Sequence, residues 1–222
     1  MSNKDTLFIA KIKMILVVIF WGASFIAIKV AVQESSPAAV IWLRFLISLL
    51  CLFPIIWKKG LLHIGGWKNV AEYTLLGFLG VSLHQWLQSN GLVTSQASTT
   101  SWIVSTIPVF MVLFGWLFLK EKLEKIGFLG MALAILGVLL IVSNGHIGGL
   151  FQNGFGAPGD ILVLLSAPNW AIYSILLRKT LQRESALKGT FFTILFGWLI
   201  SSVPFIFEKG WQLIPHLTFS GW

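Results

Sequence analysis

The stretch at residues 12–31, IKMILVVIFWGASFIAIKVA, decides the fold class. A bilayer core about 30 Å thick needs roughly 20 mostly apolar residues in a helix, because lipid offers the backbone no hydrogen-bond partner. This stretch has that length, is longer than the apolar core of a signal peptide, and lacks a clear cleavage site. The sequence therefore predicts a retained membrane-spanning helix near the N-terminus.

Six further apolar runs of comparable length follow the first. The seven predicted spans cover residues 12–31, 38–57, 71–91, 98–119, 126–142, 160–177 and 190–207. The composition agrees with them, since 56% of the chain is hydrophobic and 11% is charged, whereas soluble domains are about 25% charged. The predicted fold class is thus an all-α integral membrane protein.

The basic residues are concentrated in alternate loops between these spans. With the N-terminus in the cytoplasm, every Lys and Arg except Lys29, Arg44 and Lys209 lies on the cytoplasmic side, as the positive-inside rule requires. We therefore predict a multi-pass protein of the cell (cytoplasmic) membrane with a cytoplasmic N-terminus. The formal net charge of +8 is assigned to the lipid bilayer surface and not to nucleic acid, because the cations lie in short loops.

A weak internal repeat links the two parts of the chain. Three residues return 149 positions later: Trp21, Lys29 and Gln33 as Trp170, Arg178 and Gln182. The two copies begin five spans apart, so the second enters the membrane from the opposite side, as in the inverted repeats of many secondary transporters. We predict a first five-helix repeat at residues 9–143, an outer linker at 144–157, and an incomplete second repeat at 158–222.

Short motifs stand in a definite order along the chain. They are FWGASF at residues 20–25 with Lys29 and Pro37, then Arg44 with Phe45, Pro108 with Glu121, Gly159 with Asp160, and Trp170 with Ala171. Together they resemble the EamA domain of drug/metabolite transporters. The resemblance implies ten helices in two inverted five-helix repeats, which move metabolites such as amino acids through a central cavity. This chain departs from that pattern in length, since three helices of the second repeat are expected to be missing.

Aromatic residues near the middle of spans one and six are candidates for a solute site. Trp21, Ser24 and Phe25 share one helix face, and another is shared by Ser166, Trp170, Tyr173 and Ser174. Tryptophans that anchor a helix usually lie at the membrane interface. The depth of Trp21 and Trp170 therefore predicts an aromatic-walled pocket for an organic solute, with helix packing as the alternative.

Spans three and four each carry a polar stripe at helical spacing. Gly77, Gly80, His84, Gln88 and Gly91 form the first, and Ser98, Trp102, Ser105 and Pro108 form the second. Polar side chains in a bilayer are expensive unless they face protein or water, so His84, Gln88, Ser98, Trp102 and Ser105 are predicted to contact substrate or a neighbouring helix. Pro108 is predicted to kink span four, either as a hinge or as a static bend.

Two cations lie within the spans. Arg44 is the candidate partner for a substrate carboxylate or phosphate, and Lys29 is expected to reach the outer interface or to pair with Glu34. No acidic residue is expected at mid-membrane. Ion coupling therefore falls to His84 or is absent, and the sequence leaves this choice open.

The predicted function is a secondary transporter, that is, a permease or exporter moving a small organic metabolite by alternating access. The alternatives are a flippase for a lipid-linked metabolite and a non-transporting membrane subunit. No spacing typical of a catalytic set, a metal site or a cofactor site occurs, so we predict a protein that is not an enzyme and needs no cofactor. The oligomeric state stays open.

Overall fold

The computed structural model describes residues 3–120, 125–143, 145 and 156–214, which form nine α-helices and no β-strand. The helices are α1 (Asn3–Glu34), α2 (Pro37–Lys58), α3 (Trp67–Gly77), α4 (His84–Thr94), α5 (Ala97–Val104), α6 (Ile107–Leu119), α7 (Lys125–Val142), α8 (Pro158–Leu181) and α9 (Ala186–Phe207). A π-helical turn at Phe78–Leu83 joins α3 to α4, and a 3-10 turn at Gly210–Gln212 follows α9. Most of the predicted linker at 144–157 lies outside the described residues, as does Glu121.

Five helical stretches among the described residues are long and apolar enough to cross a bilayer. They are Leu7–Glu34, Pro37–Lys58, Ala97–Phe118, Pro158–Leu181 and Ala186–Phe207, while Ile126–Leu140 is a shorter apolar helix. The predicted all-α membrane fold is confirmed. Helices occupy all seven predicted positions, although two of the predicted continuous spans are interrupted.

Span three is the first of the interrupted helices. It runs from Trp67 to Thr94 and is wider than the predicted 71–91, with the π turn at Phe78–Leu83 in its middle. The backbone keeps right-handed helical angles where the π turn meets α3 and where it meets α4. The three segments therefore form one continuous helix. A π turn inserts an extra residue into the helical ladder, which hydropathy over a window cannot detect.

The second helix of each proposed repeat has the same length and the same start signal. The helices α2, Pro37–Lys58, and α9, Ala186–Phe207, both contain 22 residues and lie 149 positions apart at both ends. Ser36 caps α2 by accepting a hydrogen bond from the Ala39 amide, and Ser185 caps α9 through the Lys188 amide, each at 3.3 Å. This match supports the internal repeat, because N-caps fix where helices begin.

Helix α8 packs most extensively against α4, and also against α5 and α6, whereas α9 packs against α2 and α3. Two apolar clusters result. The first joins α1, α4, α5 and α8 through residues such as Phe25, Leu92, Ile103 and Val163. The second joins α2, α3 and α9 through Ile56, Tyr73, Leu76, Phe191 and Phe192. Helices α8 and α9, which belong to the proposed second repeat, therefore pack directly against span three.

Glycines on span three permit this close packing. A Cβ atom at Gly159 of α8 would lie 2.0 Å from the Gly91 carbonyl oxygen, and one at Gly77 would lie 2.5 Å from the backbone nitrogen of Gly197 in α9. Small residues let membrane helices approach closely enough for backbone contact. The glycine stripe of span three thus packs closely against neighbouring helices at Gly77 and Gly91.

The Gly91–Gly159 contact predicts the effect of adding one methyl group. Gly159→Ala must push α8 away from α4, and we expect a loss of about 1–3 kcal/mol of unfolding free energy, as for an overpacked core. Thermal unfolding of the purified protein in detergent measures it. Gly130→Ala in α7 is the matched control, since a Cβ there meets no atom within 4 Å. Equal loss in both variants would contradict the tight crossing.

Candidate functional site

The polar residues of α4 contact one serine of α8. His84 Nδ1 lies 3.2 Å from the Ser166 carbonyl oxygen, and Gln88 Nε2 lies 3.5 Å from Ser166 Oγ. A carbonyl only accepts, so His84 Nδ1 carries the hydrogen. Both residues are buried, with exposed fractions of 1% for His84 and 2% for Gln88. The structure thus places these two predicted site residues in the interface between the proposed repeats.

Trp170 is the centre of an aromatic cluster at the middle of the spans. Its ring centroid lies 4.5 Å from that of His84, 4.9 Å from that of Tyr173 and 6.2 Å from that of Trp21. Gly80 makes room for Tyr173, because a Cβ at that glycine would lie 2.4 Å from the phenol ring. The two tryptophans related by the sequence repeat therefore contact each other.

A cavity of about 520 Å³ lies beside this cluster, between α1, α5, α6 and α8. Its walls contain Val18, Trp21, Gly22, Phe25, Ser101, Val104, Ser105, Ile107, Pro108, Met111 and Trp170. Solute pockets have volumes of about 300–1,000 Å³ and mostly apolar walls with a few polar groups. Five predicted site residues meet in it: Trp21, Phe25, Ser105, Pro108 and Trp170.

The helix of span four is interrupted where it borders the cavity. Helix α5 ends at Val104 and α6 begins at Ile107, with Pro108 in its first turn. Ser105 Oγ donates to the Ser101 carbonyl at 2.9 Å, and Thr106 Oγ1 donates to the Ile103 carbonyl at 2.6 Å. Hydroxyls thus satisfy carbonyls near the break, as expected for irregular backbone at membrane depth. The predicted kink at Pro108 is a two-residue interruption just before it.

The ends of α4, α5 and α8 that face the predicted outer side are joined by a buried polar cluster. Ser95 Oγ donates to Asp160 Oδ1 at 2.5 Å, and the Ala157 amide donates to Asp160 Oδ2 at 2.9 Å. Thr94 Oγ1 accepts from the Gly159 amide at 2.9 Å. Asp160 therefore caps α8, as the sequence indicates, and also ties it to the end of α4.

The two predicted membrane cations are both held by neighbouring helices. Lys29 Nζ donates to the Leu92 carbonyl at 2.7 Å and to the Val93 carbonyl at 3.2 Å. These carbonyls belong to the last turn of α4, where a cation suits the helix dipole. Arg44 Nη1 donates to Gln85 Oε1 at 3.1 Å. Neither side chain lines the cavity.

The remaining predicted site residues do not line the cavity. Ser24 Oγ donates to the Trp21 carbonyl of its own helix at 2.6 Å, and Ser98 and Trp102 are exposed, Trp102 to 57%. Tyr173 lies in a groove of about 430 Å³ that runs along α8 from Trp170 to Gln182. This groove leads from the aromatic cluster towards the predicted cytoplasmic end of α8.

Sequence reasoning missed Asn169. Its Nδ2 donates to the Leu79 carbonyl at 2.8 Å, within the π turn of span three. A buried amide beside Trp170 in an apolar helix is itself a signal, since such a group needs a partner in a membrane. The π turn that provides the partner carries no comparable signal.

Known proteins resemble this chain over most of its length. The EamA-like transporter family matches residues 8–143. An uncharacterized transporter of Archaeoglobus fulgidus is 29% identical over 211 residues, covering 95% of this chain and 69% of that protein. Two uncharacterized transporters of Bacillus subtilis are also similar. YyaM is 27% identical, and the match covers 92% of this chain and 67% of YyaM. YcxC is 30% identical, and the match covers 88% of this chain and 59% of YcxC. The chain thus spans about two thirds of the length of these relatives.

Proposed function

Since the chain belongs to the EamA-like transporter family, we propose that it is a secondary transporter which moves a small organic metabolite across the cytoplasmic membrane. The observation that carries this proposal is the cavity of about 520 Å³ beside the Trp21–Trp170 contact. Its walls come from α1, α5 and α6 of the first proposed repeat and α8 of the second. A solute bound there contacts both repeats, which is where transporters with inverted repeats bind their cargo.

Alternating access is the proposed mechanism. The Ser95–Asp160 hydrogen bond and the Gly91–Gly159 crossing hold α4 against α8 at the predicted outer end. Opening to that side requires these contacts to separate, and the interruption before Pro108 offers a place where span four bends. The groove along α8 is then the path to the cytoplasmic side. His84 and Gln88 act by holding α8, and with it Trp170, at a fixed rotation.

The cavity favours movement of a soluble solute over the flippase alternative. A lipid-linked phosphate needs a cation, and the candidate for it, Arg44, lies on α2 with its guanidinium bonded to Gln85. Arg44 is therefore proposed to join α2 to α4 and not to bind cargo.

The orientation is proposed from charge. With the N-terminus in the cytoplasm, the salt bridge between Arg183 and Glu72, with oxygen distances of 2.7 and 2.9 Å, lies at the cytoplasmic end of α3 and α8. The first copy of the repeat then runs outward and the second inward.

Transport by variants of the cavity tests the function. In vesicles containing the full-length protein, uptake of amino acids, amines and organic acids is screened first. Trp170→Ala and Trp21→Ala should each lower transport of the accepted solute about tenfold. Each removes an aromatic ring whose contact with the solute contributes roughly a factor of ten in affinity. Trp67→Ala, at an exposed tryptophan outside the cavity, is the control. Unchanged transport in both cavity variants would contradict the site.

Cross-linking tests alternating access. Ser95→Cys with Asp160→Cys, in a Cys51→Ser background, places two thiols where the outer contact lies. Oxidation should stop transport and a reductant should restore it, since the outer end can no longer open. The single-cysteine variants are the controls. Full transport by the oxidised pair would exclude opening at this end.

Labelling of repeat-related positions tests the inverted topology. Gln33 and Gln182 correspond in the repeat, and both are exposed. In a Cys51→Ser background, a membrane-impermeant maleimide added to intact cells should label Gln33→Cys but not Gln182→Cys. Permeabilised cells should give labelling of both. Labelling of both positions from the same side would refute the opposite insertion of the two copies.

A further inference from the structure

We propose that the cavity selects organic monocations with an aromatic frame, and that it discriminates against carboxylates. This inference deepens the proposed transport function and rests on it, because it names the class of solute. It follows from three features: the ring faces of the cavity, the Ser105 hydroxyl oxygen, and the partners of the two cations within the predicted spans.

The ring faces come from both proposed repeats. The indoles of Trp21 and Trp170 lie with centroids 6.2 Å apart and planes at 45°, and they line the cavity together with Phe25. This tilt leaves a wedge between the two indoles in place of a closed stack. The face of an indole carries partial negative charge and attracts a cation within about 6 Å of its centroid. A wedge of two indoles therefore offers an ammonium group two such faces at once.

The hydroxyl at the break in span four adds an acceptor. Ser105 Oγ lines the cavity and gives its hydrogen to the Ser101 carbonyl at 2.9 Å. Its oxygen lone pairs remain for the solute. Lone pairs accept from an ammonium N–H but repel a carboxylate oxygen. The orientation of this hydroxyl thus favours the same sign of charge as the rings do.

The two cations within the predicted spans, Lys29 and Arg44, are directed elsewhere. Lys29 binds the Leu92 and Val93 carbonyls, and Arg44 binds the Gln85 side chain. Among the residues that the structure describes, the cavity wall contains no charged side chain. A carboxylate entering this wall loses its hydration without gaining a cation, which is unfavourable in an apolar site. An amino acid brings such a carboxylate beside its ammonium group, so the corresponding amine should bind more tightly.

A matched series of phenyl compounds tests this ranking. Purified full-length protein in detergent is titrated at neutral pH with radiolabelled phenethylamine, and 2-phenylethanol, phenylalanine and 3-phenylpropionate compete. We expect phenethylammonium to bind most tightly, the alcohol to follow, and the two carboxylates to bind at least about tenfold more weakly. A carboxylate that binds as tightly as the amine, or the absence of saturable amine binding, would overturn the inference.

Variants assign the preference to the rings and the hydroxyl. Trp21→Leu should weaken amine binding about tenfold, while Trp21→Phe, which retains an aromatic face, should lose less. Ser105→Asp should tighten amine binding about tenfold by supplying a negative charge. Trp67→Leu should leave binding unchanged. If Ser105→Asp does not fold, as judged by gel filtration, the comparison of Trp21→Leu with Trp21→Phe decides. Equal losses of amine affinity in these two variants would refute cation–π recognition.

Failure of this inference is distinguishable from failure of the transport function. If the vesicles accumulate a solute but the amine does not outcompete the carboxylates, the cavity transports another class of molecule and only the inference falls. If the amine binds with the expected ranking but no solute moves, the site exists and the transport function falls.

Discussion

The absence of water at membrane depth constrains this fold more than any other condition. Every backbone N–H and carbonyl must find its partner within the protein, so each departure from a regular helix needs a side chain nearby. At the π turn of span three, Asn169 donates to the Leu79 carbonyl. At the interruption of span four, Ser105 and Thr106 donate to carbonyls of the preceding turn. Both irregular segments lie against α8 or beside the cavity, where the protein replaces lipid.

Close approach of the two proposed repeats determines the geometry of the site. Gly91 and Gly159 bring the backbones of α4 and α8 together, and from there α8 is held by Ser166 against His84 and Gln88. The next turn of α8 carries Trp170, which is thereby fixed beside Trp21. The aromatic wall of the cavity is in this sense a consequence of two glycines: Gly159, eleven residues before Trp170 on α8, and Gly91 on the facing α4.

The sequence predicted the features of the fold that depend on hydropathy averaged over many residues. Hydropathy located the α-helices of the part of the chain that the structure describes, because the length of an apolar run is set by bilayer thickness. Unusual depth identified Trp21 and Trp170, which do meet. Contacts that depend on helix rotation could not be predicted. The sequence does not indicate that Lys29 binds the end of α4, or that Arg44 donates to Gln85. No residue pattern distinguishes the π turn from a regular helix. Its extra residue rotates the helix face of each side chain of span three that follows Phe78.

The meeting of Trp21 with Trp170 has a geometric meaning beyond the pocket. If two copies of one fold are related by a twofold axis in the membrane plane, a residue touches its own counterpart only where it lies next to that axis. If such an axis relates the two proposed repeats, it passes between these indoles, whose centroids lie 6.2 Å apart. In the proposed transporter, cargo held at this point would lie near the middle of the bilayer. A site at this depth would be reached over similar distances from either side of the membrane.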